Sequence, residues 1–404
     1  MFKRFLAKIS NAFKKICKRK VPLWVCFVSV FLIVLITFGG SLLLVNGSKA
    51  VKTAKKLIEI DRLVSKNYIE EVDYDNLDTA VLSAYMRAIE DKYGFYKSAE
   101  DAEAVSNSFE GSAEGIGVTV YYDNEKDALA VFRVDNDSPA HKAGIKVGDF
   151  ITAIDGKTVK SLGYKGSLKA IKREVGKTAD ITILRGAKTL NLKVEYKDFI
   201  RQTVYAKRVA NYGYFCFTAF NEATFDQFEK AYFDFLKQDV KGLIFDMRGN
   251  GGGTVDSVCE VLDTLVGKCN IMTTLYADGS KEVNATSDAQ KTELPITVLV
   301  DGDTASAAEL FAAAVRDSEK AVLIGNTTFG KGVVQRTYFL SDNSCVRFTV
   351  GEFLPPSGNS FNNKGLTPDY EVAFTDEQAK NPYILGNDDP YIKKAVEHLN
   401  GVTK

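Results

Sequence analysis

The chain has 404 residues, and its 52 lysine and arginine residues are balanced by 52 aspartate and glutamate residues. A net charge of zero argues against a general nucleic-acid-binding protein, which is normally strongly basic. An apolar share of 45% at this length indicates a folded protein of two or three domains. The chain has two histidines, His141 and His398, so a multi-histidine metal site is disfavoured and a Ser–His–Asp site would need one of them as its base.

The first part of the chain has the charge pattern of a membrane anchor. Residues 1–20 carry eight basic groups and no acidic group, and residues 21–48 carry no charge. As a helix of ~1.5 Å per residue, this uncharged run is longer than the ~30 Å hydrocarbon core of a bilayer. Because basic residues stay on the cytoplasmic side, we predict a single transmembrane helix at 21–45 with all following residues outside the cytoplasm. A cleaved signal peptide is the alternative, but the apolar run is long for one and no Ala-x-Ala cleavage site follows it.

Four cysteines, Cys216, Cys259, Cys269 and Cys345, follow the predicted anchor. An oxidising compartment permits disulfides, and four cysteines allow three pairings. Their spacing resembles no disulfide framework, and two of them lie in strand-like apolar runs. Buried thiols are therefore the favoured interpretation.

Three stretches of different pattern follow the predicted anchor. Residues 50–105 place apolar side chains three and four positions apart, which predicts helices. In 111–196, short β-like runs alternate with glycine and aspartate turns, and from about residue 200 buried-strand patterns such as KGLIFDM, PITVLVD and KAVLIG alternate with helical ones. A strand–loop–helix–strand series of this kind predicts a layered α/β core.

The segment EGIGVTV, residues 114–120, is a candidate peptide-binding loop. A glycine-bounded loop that enters an apolar strand can present consecutive backbone N–H groups to a peptide carboxylate, and the bound peptide then adds to the sheet as an extra strand. The candidate contact residues are Gly115, Ile116, Gly117 and Val118. We expect His141, in the nearby SPAHKAG segment, to have no catalytic role.

The segment DMRGNGGG, residues 246–253, places four glycines after a predicted buried strand. Glycines let backbone N–H groups approach a ligand closely, as an oxyanion hole requires. An ordinary flexible turn is the alternative interpretation.

Ser306 follows the predicted strand PITVLVD and begins the helical pattern TASAAELF. A hydroxyl at the start of a helix lies at the positive end of the helix dipole, which favours developing negative charge. The backbone N–H of Ala307 would point toward an attacked carbonyl oxygen. The alternative is that Thr304 or Ser306 only caps the helix, which is the usual role of an isolated serine at such a position.

Lys331 lies between two glycines in the segment GNTTFGKGVVQ, after a predicted buried strand. A solvated loop lysine is one alternative. A phosphate-binding loop is another, but Gly332 occupies the position of its hydroxyl residue and the following VVQRTYF is β-like rather than helical. Nucleotide binding is therefore disfavoured.

Together, these segments resemble the C-terminal processing serine peptidases, also called tail-specific proteases. EGIGV and SPAHKAGIKVGDFITAIDG resemble the carboxylate loop and central signature of a PDZ domain, and DMRGNGGG, TASAAE and TFGKGVVQ resemble the family's glycine-rich, nucleophile and lysine segments. FTVGEFLPPSGNSFNNKGLTPDYEV resembles its closing hairpin. The resemblance runs from about residue 55 to 375, and the common order of the segments makes it specific.

The resemblance implies a role for each matching residue. Ser306 matches the nucleophile, Lys331 the general base, and Gln335 the residue that orients that lysine. Gly252 and the N–H of Ala307 match the oxyanion hole. A neutral lysine would take the proton of the serine hydroxyl, which would attack a peptide carbonyl and form an acyl-enzyme.

Other assignments rest on fewer matching residues. Arg173 falls near a PDZ arginine that in some members of the family reports on ligand occupancy. Asp317 falls where members often have an acid at the end of the nucleophile helix, and we expect it to have a structural role. Thr304 replaces a serine of the family's pattern, and DKYGFY stands where members usually carry Asp-Pro-Tyr-Ser, so the packing of that segment is not predicted.

The fold class implied by the resemblance is mixed α/β, with a peptidase core like those of Clp protease and crotonase, an inserted PDZ β-sandwich, and an N-terminal helical segment preceded by one transmembrane helix. The predicted divisions are a cytoplasmic basic segment at 1–20, the transmembrane helix at 21–45, a linker and N-terminal helical segment at 46–108, the PDZ domain at 109–197, the serine peptidase core at 198–376 and a C-terminal helical segment at 377–404.

The sequence therefore predicts a membrane-anchored serine endopeptidase that acts outside the cytoplasm on protein or peptide substrates with free C-termini. Burial beside an apolar strand would lower the pKa of the lysine base, and this chemistry needs neither a metal nor a cofactor. Nucleic acid is not an expected partner, and homo-oligomer formation is left open. The alternative is a catalytically inactive scaffold whose PDZ domain only binds peptide C-termini, which the intact set of Ser306, Lys331 and Gln335 disfavours.

Overall fold

The computed structural model describes residues 28–32, 49–113, 115–288, 291–319, 321–375, 378 and 386–403. The predicted cytoplasmic segment and most of the predicted transmembrane helix, 21–45, lie outside the described residues. Residues 28–32 are helical. Within the described ranges, no helix is both long enough and apolar enough to span a membrane.

The chain divides into two compact units, Met1–Asp78 and Thr79–Lys404. In the first unit, α1 (Lys49–Asn67) precedes the start of α2 (Tyr74–Ala88). The helical pattern predicted for residues 50–105 is confirmed by these elements and by a third helix in the second unit.

The second unit continues with β1 (Phe95–Lys97), α3 (Ala99–Glu110) and β2 (Ser112–Ala113). α3 begins where the Ser98 side chain accepts a hydrogen bond from the Asp101 N–H, as a helix N-cap does. β1 is a short strand that the helical periodicity of this region did not predict.

The segment predicted as the PDZ domain forms a sheet closed by two helices. Its elements are β3 (Val118–Asp123), β4 (Ala128–Val134), α4 (Pro139–Ala143), β5 (Phe150–Ile154), β6 (Lys157–Thr158), α5 (Val159–Ile171), β7 (Thr178–Arg185) and β8 (Lys188–Glu195). The strand order is β3-β4-β5-β7-β8, with β6 paired to β5, so these strands share one hydrogen-bonded sheet rather than the two sheets of a sandwich. Alternate residues of β7 are buried, including Ile181 and Ile183, because successive side chains of a strand point to opposite faces.

The part of the second unit that follows the predicted PDZ segment is built on a mostly parallel sheet. Its strands are β10 (Val204–Val209), β11 (Tyr212–Phe217), β12 (Leu243–Asp246), β15 (Ile296–Val300), β16 (Val322–Gly325) and β19 (Tyr370–Glu371). They pair in that order, antiparallel between β10 and β11 and parallel from β11 onward. β12 and β15 are buried along their whole length, as expected for parallel strands covered on both faces.

Helices cover both faces of this sheet. One face packs against α6 (Thr224–Lys237), α7 (Val255–Leu265) and α8 (Ala307–Glu319), with stacked and tilted aromatic rings in the buried layer. The other face packs against α9 (Pro390–Val402). The layered α/β core predicted from the sequence is confirmed by this arrangement.

A second sheet lies beside the first and carries the lysine segment. Its strands are β1, β13 (Cys269–Tyr276), β14 (Lys281–Ser287), β17 (Val333–Phe339) and β18 (Cys345–Leu354). The order is β1-β18-β13-β14, and β17 also pairs with β18. This pairing places the DKYGFY segment, which leads into β1, against the hairpin that follows Lys331.

Parallel pairing of β12 with β15 decides where the candidate residues meet. The carboxyl ends of parallel strands lie at the same edge of a sheet. Segment 246–253 follows β12, Ser306 follows β15, and Lys331 follows β16. Three segments that are distant in the sequence therefore meet at one edge.

The four cysteines of the described chain are free thiols. Cys216, Cys259 and Cys345 are buried, and Cys269 is half-buried. The interpretation as buried thiols fits this arrangement better than a disulfide framework does.

Candidate active site

Ser306 lies on a sharp turn between β15 and α8, with φ of 59°. A non-glycine residue in this left-handed region is uncommon and strained, and such turns present a side chain at the top of a parallel sheet. Within the described chain, its hydroxyl has no hydrogen-bond partner. Thr304 instead uses its hydroxyl to donate to the Met247 carbonyl at 2.9 Å. The alternative in which Ser306 only caps α8 is not favoured, because its Oγ makes no capping bond.

Glu309, which is completely buried, holds the nucleophile and lysine segments together. Its Oε2 accepts the N–H of Ser306 at 3.0 Å and that of Lys331 at 2.8 Å. Its Oε1 accepts the Gly330 N–H at 2.7 Å and the Thr328 hydroxyl at 2.5 Å. Glu309 is a site residue that sequence reasoning missed, although a glutamate three residues after a serine at a helix start is the spacing of a capping box.

Gly252 contacts both halves of the predicted nucleophile turn. A Cβ at this position would lie 2.8 Å from the Ser306 Cβ and 2.9 Å from the Ala307 nitrogen, so glycine is required for this approach. Its N–H, however, donates to Oδ1 of the buried Asn250 at 2.8 Å. Gly252 and Ala307 are therefore adjacent, as an oxyanion hole needs, but one of the two predicted donors is occupied by a side chain in this conformation.

Lys331 is half-buried, and its ammonium lies over the ring of Tyr93, 4.6 Å from the centroid. Burial lowers the pKa of Lys331 and the positive charge of Arg347 lowers it further, while the carboxylates of Asp91 and Glu309 oppose this shift. In the described part of the chain, no hydrogen bond joins the Lys331 ammonium to the Ser306 hydroxyl. The two residues are joined through the Glu309 carboxylate, which accepts both of their backbone N–H groups.

The DKYGFY segment, whose packing the sequence did not predict, forms the wall beside the lysine. The Asp91 carboxylate accepts the N–H of Thr349 at 2.6 Å and its hydroxyl at 3.0 Å, which fixes the segment to β18. Burial by itself would raise the pKa of Asp91, but these hydrogen bonds and the charge of Lys331 hold it below its ordinary value. Asp91 and Tyr93 are site residues that sequence reasoning missed, because their partners lie in a distant strand.

Gln335 lies near the start of β17, next to an irregularity in its pairing with β18. Its Nε2 donates to the Val333 carbonyl at 3.1 Å. It is therefore in the same hairpin as Lys331, but its amide is bonded to the backbone of its own strand. The predicted role in orienting the lysine stays a prediction.

The predicted peptide-binding loop precedes β3, which is an edge strand of its sheet. The carbonyl of Ile116 accepts the Ala140 N–H at 2.8 Å, and that of Gly117 accepts the Asp135 N–H at 2.9 Å. Because peptide units are planar and trans, the N–H groups of Gly117 and Val118 point to the opposite side. Gly115, Ile116, Gly117 and Val118 line a cavity of about 450 Å³ on that side, together with residues of α5.

Arg173 does not line this cavity. Its guanidinium forms an ion pair with Asp155 and donates to the Thr178 carbonyl at 2.9 Å, beside the end of α5. Among the described residues, the cations on the cavity wall are Arg133, Lys172 and Arg201. The regulatory role that the resemblance implied for Arg173 is not supported by its position.

No group of three or more His, Cys, Asp or Glu side chains suited to a metal ion occurs in the described ranges. His141 is exposed on α4, where its Nδ1 accepts the Asp137 N–H at 3.2 Å. Its contacts give it no place in the site around Ser306.

Comparison with known proteins places these features in a family. The model of peptidase family S41 matches residues 211–372, and that of the PDZ domain matches residues 115–196. The carboxy-terminal processing protease CtpA of Bacillus subtilis (strain 168) is 33% identical over 352 residues, which are 86% of this chain and 75% of that protein. CtpB of the same organism is 29% identical over 369 residues, 88% of this chain and 76% of the relative.

Two solved structures share the fold. The photosystem II D1 C-terminal processing protease has a TM-score of 0.52 at 24% identity, covering 87% of this chain and 91% of that one. A putative S41 protease from Bacteroides fragilis has a TM-score of 0.57 at 18% identity, covering 84% and 92%. With the sequence relatives, these likenesses show that the chain belongs to peptidase family S41, as a carboxy-terminal processing serine protease with a PDZ domain.

Proposed function

We propose that this protein is a membrane-anchored endopeptidase that cleaves protein substrates outside the cytoplasm with a Ser306–Lys331 pair and selects them by their C-terminal tails. The observation that carries the catalytic part is the buried carboxylate of Glu309, which accepts the backbone N–H of both proposed catalytic residues. A structural serine and a solvated lysine would not need a shared anchor inside the protein.

In the proposed reaction, the neutral amine of Lys331 takes the proton of the Ser306 hydroxyl as its oxygen attacks the peptide carbonyl. The carbonyl oxygen becomes negative and is stabilised by the N–H groups of Ala307 and Gly252. The leaving amine takes a proton from the lysine, the acyl-enzyme forms, and water then releases the product acid. For the attack of Ser306 in this mechanism, the Lys331 ammonium must give up its contact with the Tyr93 ring, and the Gly252 N–H must give up its hydrogen bond to Asn250.

The lowered pKa of Lys331 supports its assignment as the base. Only a neutral amine can accept a proton, and burial makes the neutral form easier to reach. The half-buried position of Lys331, just before the β17–β18 hairpin, favours the neutral amine, whereas the Tyr93 ring beneath the ammonium favours the charged form.

A serine-directed fluorophosphonate tests the assignment of the nucleophile. The wild type should be labelled at Ser306 and should hydrolyse a tail peptide, whereas Ser306→Ala should be neither labelled nor active. A wild-type protein that binds tail peptides but is neither labelled nor active would instead be the inactive scaffold. One feature favours that alternative, since among the described contacts no hydrogen bond joins the Ser306 hydroxyl to the Lys331 ammonium.

The anchor and the location are proposed from the charge pattern of residues 1–48 alone. An added protease in intact cells should cleave an epitope tag placed after residue 60 and should leave a tag at residue 5 intact. Protection of the tag after residue 60 would contradict the proposed topology, and loss of both tags would contradict the cytoplasmic position of the basic segment.

A further inference from the structure

The cavity beside the predicted peptide-binding loop is shared between the PDZ segment and the peptidase core. The loop and α5 form one wall of its roughly 450 Å³. Core residues that follow the PDZ segment, including Arg201, Tyr205 and Thr218, form the other. A peptide that lies along β3 in this cavity would therefore meet residues of both domains.

Arg201 is fixed close to the loop by backbone pairing. It directly follows β9 (Phe199–Ile200), which pairs antiparallel with β2, the strand just before the loop. The Arg201 N–H donates to the Gly111 carbonyl at 2.9 Å. The start of its side chain is thus held next to the loop independently of how the side chain itself is oriented.

The charge of Arg201 is available for a ligand. The residue is exposed, and in the described part of the chain only its backbone groups form hydrogen bonds, while its guanidinium makes neither a hydrogen bond nor an ion pair. Arg133, which lines the same cavity, is already engaged, because its guanidinium donates to Cys216 Sγ at 3.1 Å and lies 5.0 Å from the centre of the Tyr205 ring. Of these two arginines, Arg201 is the one free to bind an anion.

One acidic side chain, that of Asp135, lines the same cavity as Arg201. Asp135 is buried, and its Oδ1 accepts the Tyr205 hydroxyl at 2.6 Å. Burial raises the pKa of Asp135, and the charge of Arg201 only partly opposes that shift. In the described chain, Asp135 is thus hydrogen-bonded to Tyr205 and makes no hydrogen bond or ion pair with Arg201, which leaves the exposed guanidinium open to a carboxylate.

We propose that Arg201, a residue of the peptidase core, binds the terminal carboxylate of a substrate tail together with the N–H groups of Gly117 and Val118. The proposal rests on the tail recognition proposed above and adds a charged contact from the second domain. The carboxylate accepts from the loop N–H groups with one side and from the guanidinium with the other, and such charge-assisted bonds are stronger than neutral ones. Leu168, Ile171 and Phe199 on the cavity wall suit an apolar last side chain.

A direct binding experiment tests this contact. The full chain carrying Ser306→Ala, purified in a mild detergent, is titrated against a short fluorescent peptide that ends in leucine, either as the free acid or as the C-terminal amide. Fluorescence anisotropy gives the Kd. Arg201→Gln should weaken binding of the free acid about tenfold, the lower end for a hydrogen bond to a charged group because the site is exposed, and should leave the amide unchanged.

Two further variants sharpen the result. Arg208→Gln removes the same charge from the core outside the cavity, so it should leave both affinities unchanged. Arg201→Glu should reverse the preference, so that the amide binds more tightly than the free acid. Wild-type affinity for the free acid in Arg201→Gln would overturn the role of Arg201 while leaving tail recognition intact. Equal affinity of the unsubstituted Arg201 protein for acid and amide would overturn tail recognition itself.

Discussion

Replacing Glu309 by glutamine removes the shared anchor of Ser306 and Lys331, the two proposed catalytic residues, without changing the size of the side chain. The carboxylate accepts three backbone N–H groups and one hydroxyl, and it is completely buried. We expect Glu309→Gln to lower both the free energy of unfolding and kcat, because a glutamine amide offers one oxygen where the carboxylate offers two.

The size of the effect follows from which oxygen becomes an NH2 group. If the NH2 group replaces Oε2, the N–H groups of Ser306 and Lys331 both lose their acceptor. If it replaces Oε1, the Gly330 N–H loses its acceptor, while the Thr328 hydroxyl can rotate and accept a hydrogen bond from the NH2 group. A buried donor without an acceptor costs ~1–3 kcal/mol, so one or two of them lower stability by ~1–6 kcal/mol. Displacement of the backbone of the two proposed catalytic residues by ~1 Å can lower kcat by ~10²-fold.

Urea unfolding followed by circular dichroism measures the loss of stability, and peptide hydrolysis at low temperature, where the fold is retained, measures kcat. Asp317→Asn is the matched control, since it makes the same charge change on the same helix. Asp317 is exposed and accepts one hydrogen bond, from the Ser357 N–H at 3.1 Å, so its variant should change stability by only ~0.5 kcal/mol. Wild-type stability and wild-type kcat in Glu309→Gln would refute the anchoring role.

The other predictions concern the base and the oxyanion hole. Lys331→Arg keeps the charge but not the removable proton, so it should be about as inactive as Ser306→Ala with an unchanged circular dichroism spectrum; substantial activity would exclude lysine as the base. Because burial lowers the pKa of Lys331 and only the neutral amine accepts a proton, wild-type hydrolysis should increase as pH rises through a pKa below the ordinary ~10.4 of lysine, and a rate that falls over this range would contradict the assignment. Gly252→Ala, whose Cβ would lie 2.8 Å from the Ser306 Cβ, should lower kcat by ~10²-fold or more, as loss of an oxyanion donor does. Gly249 also has a positive φ, but the described chain leaves open space where its Cβ would lie, so Gly249→Ala should keep the wild-type kcat. Equal effects of the two alanine substitutions would count against the close approach of Gly252 to Ser306 as the cause.

Much of the fold could be predicted because its signals are local. The buried strands β12, β15 and β16 are continuous apolar runs, and the helix after Ser306 has helical spacing from its first turn. The meeting of Ser306 with Gly252 was implied by the family resemblance and not by local pattern, since β12 and β15, the parallel strands that precede the two segments, are far apart in the sequence. The wall beside Lys331 could not be predicted, because β1 joins β18 by an antiparallel pairing between segments far apart in the sequence.

The arrangement of the side chains within the site depends on energies too small to be read from a motif. A cation over an aromatic ring contributes ~0.5–2 kcal/mol, and a single hydrogen bond ~0.5–1.5 kcal/mol. These are the contacts that hold Lys331 over Tyr93 and the Gly252 N–H on Asn250. In the proposed reaction, a bound peptide that offers a carbonyl oxygen to Gly252 would replace the second contact with a hydrogen bond of the same kind, so substrate binding would offset the loss of that contact. The residue types and their spacing do not distinguish the observed arrangement from the one that the proposed reaction requires; the contacts of Lys331 with Tyr93 and of Gly252 with Asn250 define the observed one.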